Sequence, residues 1–296
     1  MLLLTGVQDK VYVTSTVPPL LPTYTLGLSL FLSTVIRNNL LTVEKTLIAV
    51  LLSQIRLDRQ NQTINKSAIR SCVSMLTVLR DKGGEDGPSV YSCLFEKAFL
   101  ADTASFYSSE AEELLNNGTA VDYLIKVERR LFEEDERLHH YLNLSTQSHL
   151  IDLLDETFIS SHLTTVLQHQ SGGLPSLLSQ NQTTDLARMY RLFGRVEKGH
   201  QVLKKAVKEW IVLSGLKIAD TLASTKSIED EKGKGKEVPS QGMGVTSALM
   251  WVQEVLDLKD KMDSIVREAW QNDLAFQTVV NEVGYHDISD NTYYVG

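Results

Sequence analysis

Apolar residues recur at helical spacing over most of this chain, most densely in residues 90–150. In VYSCLFEKAFLADTASFYSSEAEELLNN, the residues Tyr91, Leu94, Phe95, Phe99, Phe106 and Tyr107 make an aromatic stripe that predicts a buried helical face. Asn116-Asn117-Gly118 ends that helix, and Thr119 is placed to cap the next. There Tyr123, Val127, Leu131, Leu138 and Leu142 share one face. Lys126, Glu128, Arg129, Glu133, Glu136 and Arg137 lie opposite and read as a solvated surface. This segment, residues 120–143, spans about 35 Å at about 1.5 Å per residue and reads as a strut.

The flanks follow the same grammar. Pro18, Pro19 and Pro22 exclude a helix interior, and Thr23 opens a segment with Leu26, Leu30, Val35 and Ile36 as its apolar positions. Residues 42–56 carry Leu47, Val50, Leu51 and Ile55. Asn65 opens a helix with Ile69, Val73, Leu76 and Leu79 on one face, ended by Gly83-Gly84. Downstream, Ser145 or Thr146 starts a helix predicted to reach Leu167, and Ser171-Gly172-Gly173 breaks the chain. After one apolar turn at residues 174–178, Thr184 caps a helix with Leu186, Met189, Tyr190 and Phe193 inward. Residues 201–223 turn Val202, Leu203, Val207, Trp210 and Leu213 inward. Residues 247–283 form a last helix or pair of helices with Leu249, Val252, Val255, Leu256, Met262, Ile265, Val266 and Trp270 inward. Between them TKSIEDEKGKGKEVPSQGMG, residues 225–244, is polar and reads as a disordered loop. Residues 284–296 read as an irregular tail. Tyr123 and Trp251 each open a long amphipathic helix after a block of shorter ones, which suggests two copies of a module of roughly 120 residues.

Composition narrows the function. Of 296 residues, 43% are hydrophobic, enough for a full core, and the scarcity of β-branched runs favours an all-α fold. A formal net charge of −8 argues against nucleic-acid binding. No membrane association is expected: MLLLTGVQDK lacks a basic leader, and residues 26–36 are too few to span a bilayer. Cys72 and Cys93 read as small buried hydrophobes in a reducing compartment, so a cytoplasmic or nuclear location is expected.

Candidate chemistry is sparse. Asp135–His139 and Glu136–His140 are i,i+4 pairs that could share a face, but no third metal ligand is near. His149, His162 and His169 form no cluster. No nucleophile sits on a sharp turn beside a base, and the run Glu133-Glu134-Asp135-Glu136 has no apolar pocket to tune it. No catalytic, cofactor or metal residue is assigned. The residues alone describe an acidic, all-helical interaction scaffold.

Five stretches resemble the amino-terminal half of cullins, the scaffolds of multi-subunit ubiquitin ligases. They are DRQNQTINKSAIRSCVSML (58–76), FEKAFLADTASFY (95–107), YLIKVERRLFEEDERLHHYLNLST (123–146), DLARMYRLFGRV (185–196), and VQEVLDLKDKMDSIV with QND (252–273). The resemblance implies an elongated stalk of cullin repeats, which are stacked five-helix bundles. Residues 1–19 would be a remnant of the first repeat, 20–143 the second, 144–283 the third and 284–296 a tail. VYVTSTVPPLLPTYTLGLSLF (11–31) and SGGL (171–174) most resemble the cullin-3 branch, whose partners are BTB-domain substrate adaptors, with the cullin-4 and cullin-1 branches as alternatives.

In that family adaptors bind the first repeat through its second and fifth helices. Only a fifth-helix remnant near residues 8–13 matches, with Asp9, Val11 and Tyr12 as candidate adaptor contacts; exposed aromatics such as Tyr12 anchor interfaces. Absence of the second helix is expected to weaken adaptor binding. The RING-subunit site, the cullin homology domain and the lysine that accepts a ubiquitin-like modifier have no match, so the chain is expected to be truncated at both ends. The implied role is a non-catalytic scaffold that positions substrate receptors for ubiquitin-dependent degradation. The alternative is a helical tether of the vesicle-tethering type, built from similar stacked bundles.

Overall fold

A computed structural model describes residues 12, 13, 15, 22–38, 42–81, 87–232 and 243–285. Every regular element among them is helical, apart from one isolated antiparallel bridge between Arg80 and Ser89. The all-α expectation holds. The chain divides into two compact units, Met1–Tyr107 with Arg130–Leu154, and Ser108–Arg129 with Asp155–Gly296.

The first unit begins with α1 (Thr23–Phe31), which passes into a π-helical turn, Leu32–Ile36. Next come α2 (Val43–Arg59) and α3 (Lys66–Val78), then a second π-helical turn (Tyr91–Glu96) that leads into α4 (Lys97–Asn117), of which residues 97–107 belong to this unit. The unit also holds the end of α5 (Ala120–Tyr141) and the start of α6 (Gln147–Phe158). Local chemistry sets the boundaries. Asn65 Oδ1 accepts the Ala68 N–H at 3.0 Å and caps α3. The core joins Leu51 and Ile55 of α2, Ile69, Val73 and Leu76 of α3, and the predicted aromatic stripe. Tyr91, Phe95, Phe99 and Tyr107 are buried, with ring centroids 5.4 Å apart for Tyr91–Phe95 and 6.0 Å for Phe95–Phe99. Helix α1 is the exception. It has no buried residue, and Leu26, Leu30 and Val35 are exposed; burial starts at Leu32 and Ile36 in the π-helical turn.

The second unit contains α7 (Leu163–Leu167), α8 (Leu174–Ser179), α9 (Thr183–Phe193), α10 (Gly199–Lys232), α11 (Met243–Glu268) and α12 (Leu274–Tyr285). Its part of α5 starts as expected: Thr119 Oγ1 accepts the Asp122 N–H at 3.1 Å and donates to Asp122 Oδ2 at 2.7 Å. The core gathers Leu177, Leu186, Met189, Phe193, Leu203, Val207, Met262, Ile265, Trp270 and Phe276. One corner is used in both units. QNQT at residues 60–63 recurs at 180–183. In each copy the Asn adopts a left-handed conformation (φ 61° at Asn61, 55° at Asn181), and the next Gln N–H bonds back to a leucine carbonyl, Leu57 or Leu177, at 3.0 Å.

Three details differ from the sequence reading. The helix expected to reach Leu167 breaks at Ile159, because the Phe158 carbonyl accepts the Tyr123 hydroxyl at 2.7 Å and a 3₁₀ turn (Ser160–His162) follows. Helix α10 runs to Lys232, so residues 225–232 are helical where a disordered loop was expected; Lys and Glu sustain a helix without needing a core. Residues 233–242 of that loop, and 286–296 of the expected tail, lie outside the described residues. Leu213, Leu249, Val252 and Leu256 are exposed rather than inward, and the buried stripe of α11 begins at Met262. An apolar stripe specifies a face, not a neighbour to cover it.

Candidate functional site

Of the three expected adaptor contacts, Tyr12 is described and is 65% exposed, while the adjacent Val13 is buried. Asp9 and Val11 lie outside the described residues. The two histidines of the metal candidate are engaged with their own helix: His139 Nδ1 is 2.8 Å from the Asp135 carbonyl, and His140 Nδ1 is 2.6 Å from that of Glu136. Among the described residues no group of three potential metal ligands occurs, and no helix is long and apolar enough to cross a membrane.

The most concentrated chemistry in the first unit is a buried charge network, which includes Arg137, a residue expected on a solvated face. Arg59, at the end of α2, has no exposed surface. Its Nε and Nη2 donate to Glu134 Oε1 and Oε2 at 3.0 and 3.1 Å, and Nη2 also donates to Thr103 Oγ1 at 2.8 Å. Its guanidinium carbon lies 5.5, 5.4 and 5.1 Å from the ring centres of Phe99, Phe106 and Tyr107. Glu134 receives two more donors, the Tyr107 hydroxyl at 2.6 Å and Arg137 Nη1 at 3.1 Å. Arg137 Nε continues to Asp58 Oδ2 at 2.9 Å, where the Tyr141 hydroxyl also donates at 3.1 Å. Arg130 Nη1 donates to the Arg59 carbonyl at 3.1 Å, satisfying an acceptor at the helix end. Arg59 Nη1 and Asp102 Oδ2 are buried 3.5 Å apart without a hydrogen bond, while Arg56 pairs with Asp102 from the outside.

The electrostatics follow from that geometry. Burial alone would raise the Glu134 carboxyl, but Arg59 and Arg137 outweigh it and hold the group below its ordinary value. Burial pushes the Tyr107 and Tyr141 hydroxyls well up, so both act as neutral donors. With four donors on its two oxygens, Glu134 is a brace rather than a base. Asp58 and Arg137 also line an open polar groove of about 440 Å³ with Asn61, Gln62, Lys66 and Glu136, where opposite charges already face each other. In the second unit, Glu128 is likewise not a free surface charge: Arg191 Nη2 and Arg188 Nε donate to it at 2.8 and 2.9 Å, and these bonds lower its carboxyl.

The missed residues carried a signal. Val127, Leu131, Glu134, Leu138 and Tyr141 follow each other at spacings of four and three, so Glu134 occupies a core register. Arg59 continues Leu51 and Ile55 at intervals of four in the same way. A charge in the apolar stripe, rather than opposite it, marks a buried pair.

Residues 5–292 match the family model described as the cullin alpha solenoid domain. The chain belongs to the cullin family. Among curated cullins it is 32% identical over 253 residues to cullin-3 of Dictyostelium discoideum, covering 86% of this chain and 30% of that protein. It is 32% identical over 276 residues to human cullin-4A, covering 93% of this chain and 31% of the relative. For cullin-3 of Schizosaccharomyces pombe the identity is 31%, over 87% of this chain and 32% of the relative. The chain thus spans about a third of the length of these cullins. A cullin-3 likeness is present as expected, with cullin-4A at the same identity, and nothing in these matches favours the vesicle-tethering alternative.

Proposed function

We propose that this cullin segment is a non-catalytic scaffold of a cullin-RING ubiquitin ligase, holding substrate receptors so that their cargo reaches the transfer machinery. The observation that carries the reading is the cullin alpha-solenoid match over residues 5–292. The chemistry agrees: in the first unit, the most concentrated set of ionisable groups is saturated internally and braces helices. In this reading residues 20–143 and 144–283 act as two successive cullin repeats, and the protein works in the cytoplasm or nucleus.

The adaptors fitting a cullin-3 likeness are BTB-domain proteins, with Asp9, Val11 and Tyr12 as their contacts. A pull-down of the whole chain with a panel of BTB-domain proteins tests this. Binding that falls at least about tenfold with Tyr12→Ala is the expected result. Capture of none of the BTB-domain proteins, or binding unaffected by Tyr12→Ala, overturns the adaptor assignment. Catalytic ubiquitin transfer by the chain without a RING subunit overturns the scaffold reading.

A further inference from the structure

We propose that the groove beside the corner between α2 and α3 takes an arginine side chain from an extended segment of a partner protein. The groove holds about 440 Å³, a size that suits one side chain and its flanking backbone. One wall is the corner at residues 60–63, and the other is α5 at Glu133, Glu136 and Arg137. Both walls are fixed before anything binds. Asn61 holds the left-handed conformation, and the Gln62 N–H bonds to the Leu57 carbonyl at 3.0 Å. Asp58, whose side chain is 11% exposed, accepts Arg137 Nε and the Tyr141 hydroxyl on Oδ2 at 2.9 and 3.1 Å. Arg137 is nearly buried and is held in turn by Glu134. A wall set in advance lowers the ordering cost of binding.

The groups left open select the occupant. Asp58 Oδ2 takes both hydrogen bonds of that carboxylate. Its Oδ1 has only an ion-pair contact, with Lys66 Nζ at 3.8 Å, beyond hydrogen-bond reach. Among the described residues, the exposed side chains of Asn61, Gln62, Thr63 and Glu136 have no polar partner. Asp58, Glu133 and Glu136 face Lys66 and Arg137, so one carboxylate is left without a balancing cation. Two carboxylates and the side-chain oxygens of the corner offer acceptors in several directions. A planar guanidinium with its five N–H donors meets them more fully than a single ammonium. An anion would be repelled, and an apolar group would find one apolar lining residue, Ile64. The second copy of the corner shows that the turn itself does not require this lining. Residues 180–183 make the same left-handed turn, but Gln182 Nε2 donates to Gln180 Oε1 at 2.8 Å, and the buried Leu178 stands where the first copy has Asp58. The first corner keeps its side chains open and acidic where the second does not.

Fluorescence anisotropy with the full 296-residue chain and a fluorescein-labelled GSGRGSG peptide tests this. The expected result is saturable binding with a Kd between about 10 and 500 µM, weakened at least about fivefold by Glu136→Gln and by Gln62→Ala. Both side chains are exposed and stand outside the Glu134 brace, so neither variant disturbs folding. A peptide with lysine in place of arginine binds at least about threefold more weakly, and GSGEGSG does not bind. Glu112→Gln, at an exposed carboxylate of the second unit, leaves the affinity unchanged. No binding up to about 2 mM peptide, indifference to both groove variants, an equal loss with Glu112→Gln, or binding of GSGEGSG overturns the proposal. Equal affinity for the lysine peptide overturns the guanidinium assignment. Adaptor binding plays no part in this readout, so its failure is separate from that of the scaffold reading.

Discussion

Arg59 and Glu134, 75 positions apart in the chain, meet through two hydrogen bonds of 3.0 and 3.1 Å, and neither side chain has exposed surface. The pair ties the end of α2 to α5, and Thr103 and Tyr107 bring α4 to the same point. Two buried charges are costly to desolvate, so the arrangement is stabilising relative to its broken halves rather than relative to an apolar core.

Removing one partner leaves the other charged and buried. Arg59→Ala or Glu134→Ala alone is expected to cost about 3–5 kcal/mol. Arg59→Met combined with Glu134→Leu is expected to cost less than either. Urea denaturation of the three variants checks this; a double variant less stable than both singles would contradict it.

Acid should act through the same carboxylate. Glu134 titrates below 4.5 in the folded state, so the unfolded chain takes up the proton first as pH falls. The stabilisation from this group is present above about pH 4.5 and is lost as pH drops towards its folded value. Glu134→Gln should flatten that part of the acid-unfolding curve, read by circular dichroism. A curve as steep as wild type would move the acid sensitivity to other groups.

The start of α5 depends on the reciprocal Thr119–Asp122 contact. Thr119→Ala is expected to lower stability by about 1 kcal/mol, while Thr119→Ser retains most of it. Equal losses for the two would mean that the hydroxyl is not what caps the helix.

Gly172 has φ 75°, and a Cβ there would come 3.1 Å from Val121 Cγ2 and 3.4 Å from the Val121 nitrogen. Gly172→Ala is expected to cost about 1–2 kcal/mol through backbone strain alone, before any steric cost. Its melting temperature should fall accordingly, and Gly173→Ala in the same turn should also be harmful, because its Cβ would meet the His169 carbonyl at 2.3 Å.

Sequence alone determined a good deal about this cullin. Periodicity located the helices, since burial needs one apolar face per turn whatever the neighbours are. Asn65 and Thr119 announced helix starts because capping is a contact made within three residues. The aromatic stripe from Tyr91 to Tyr107 announced a core, and ordered motifs such as YLIKVERRLFEEDERL carried the family. Tertiary structure alone decided which charges are inside. Glu134 stands in the apolar register of its helix and Arg137 among the charged positions, yet both are buried, because Arg59 and Asp58 arrive as partners from a helix about 75 positions earlier. It also decided which apolar positions stay open: Leu26 and Leu30 match a core pattern as well as Leu51 and Ile55 do, yet the former are exposed and the latter buried. Pattern is local, whereas burial depends on a partner that only the folded chain, or a second molecule, can bring.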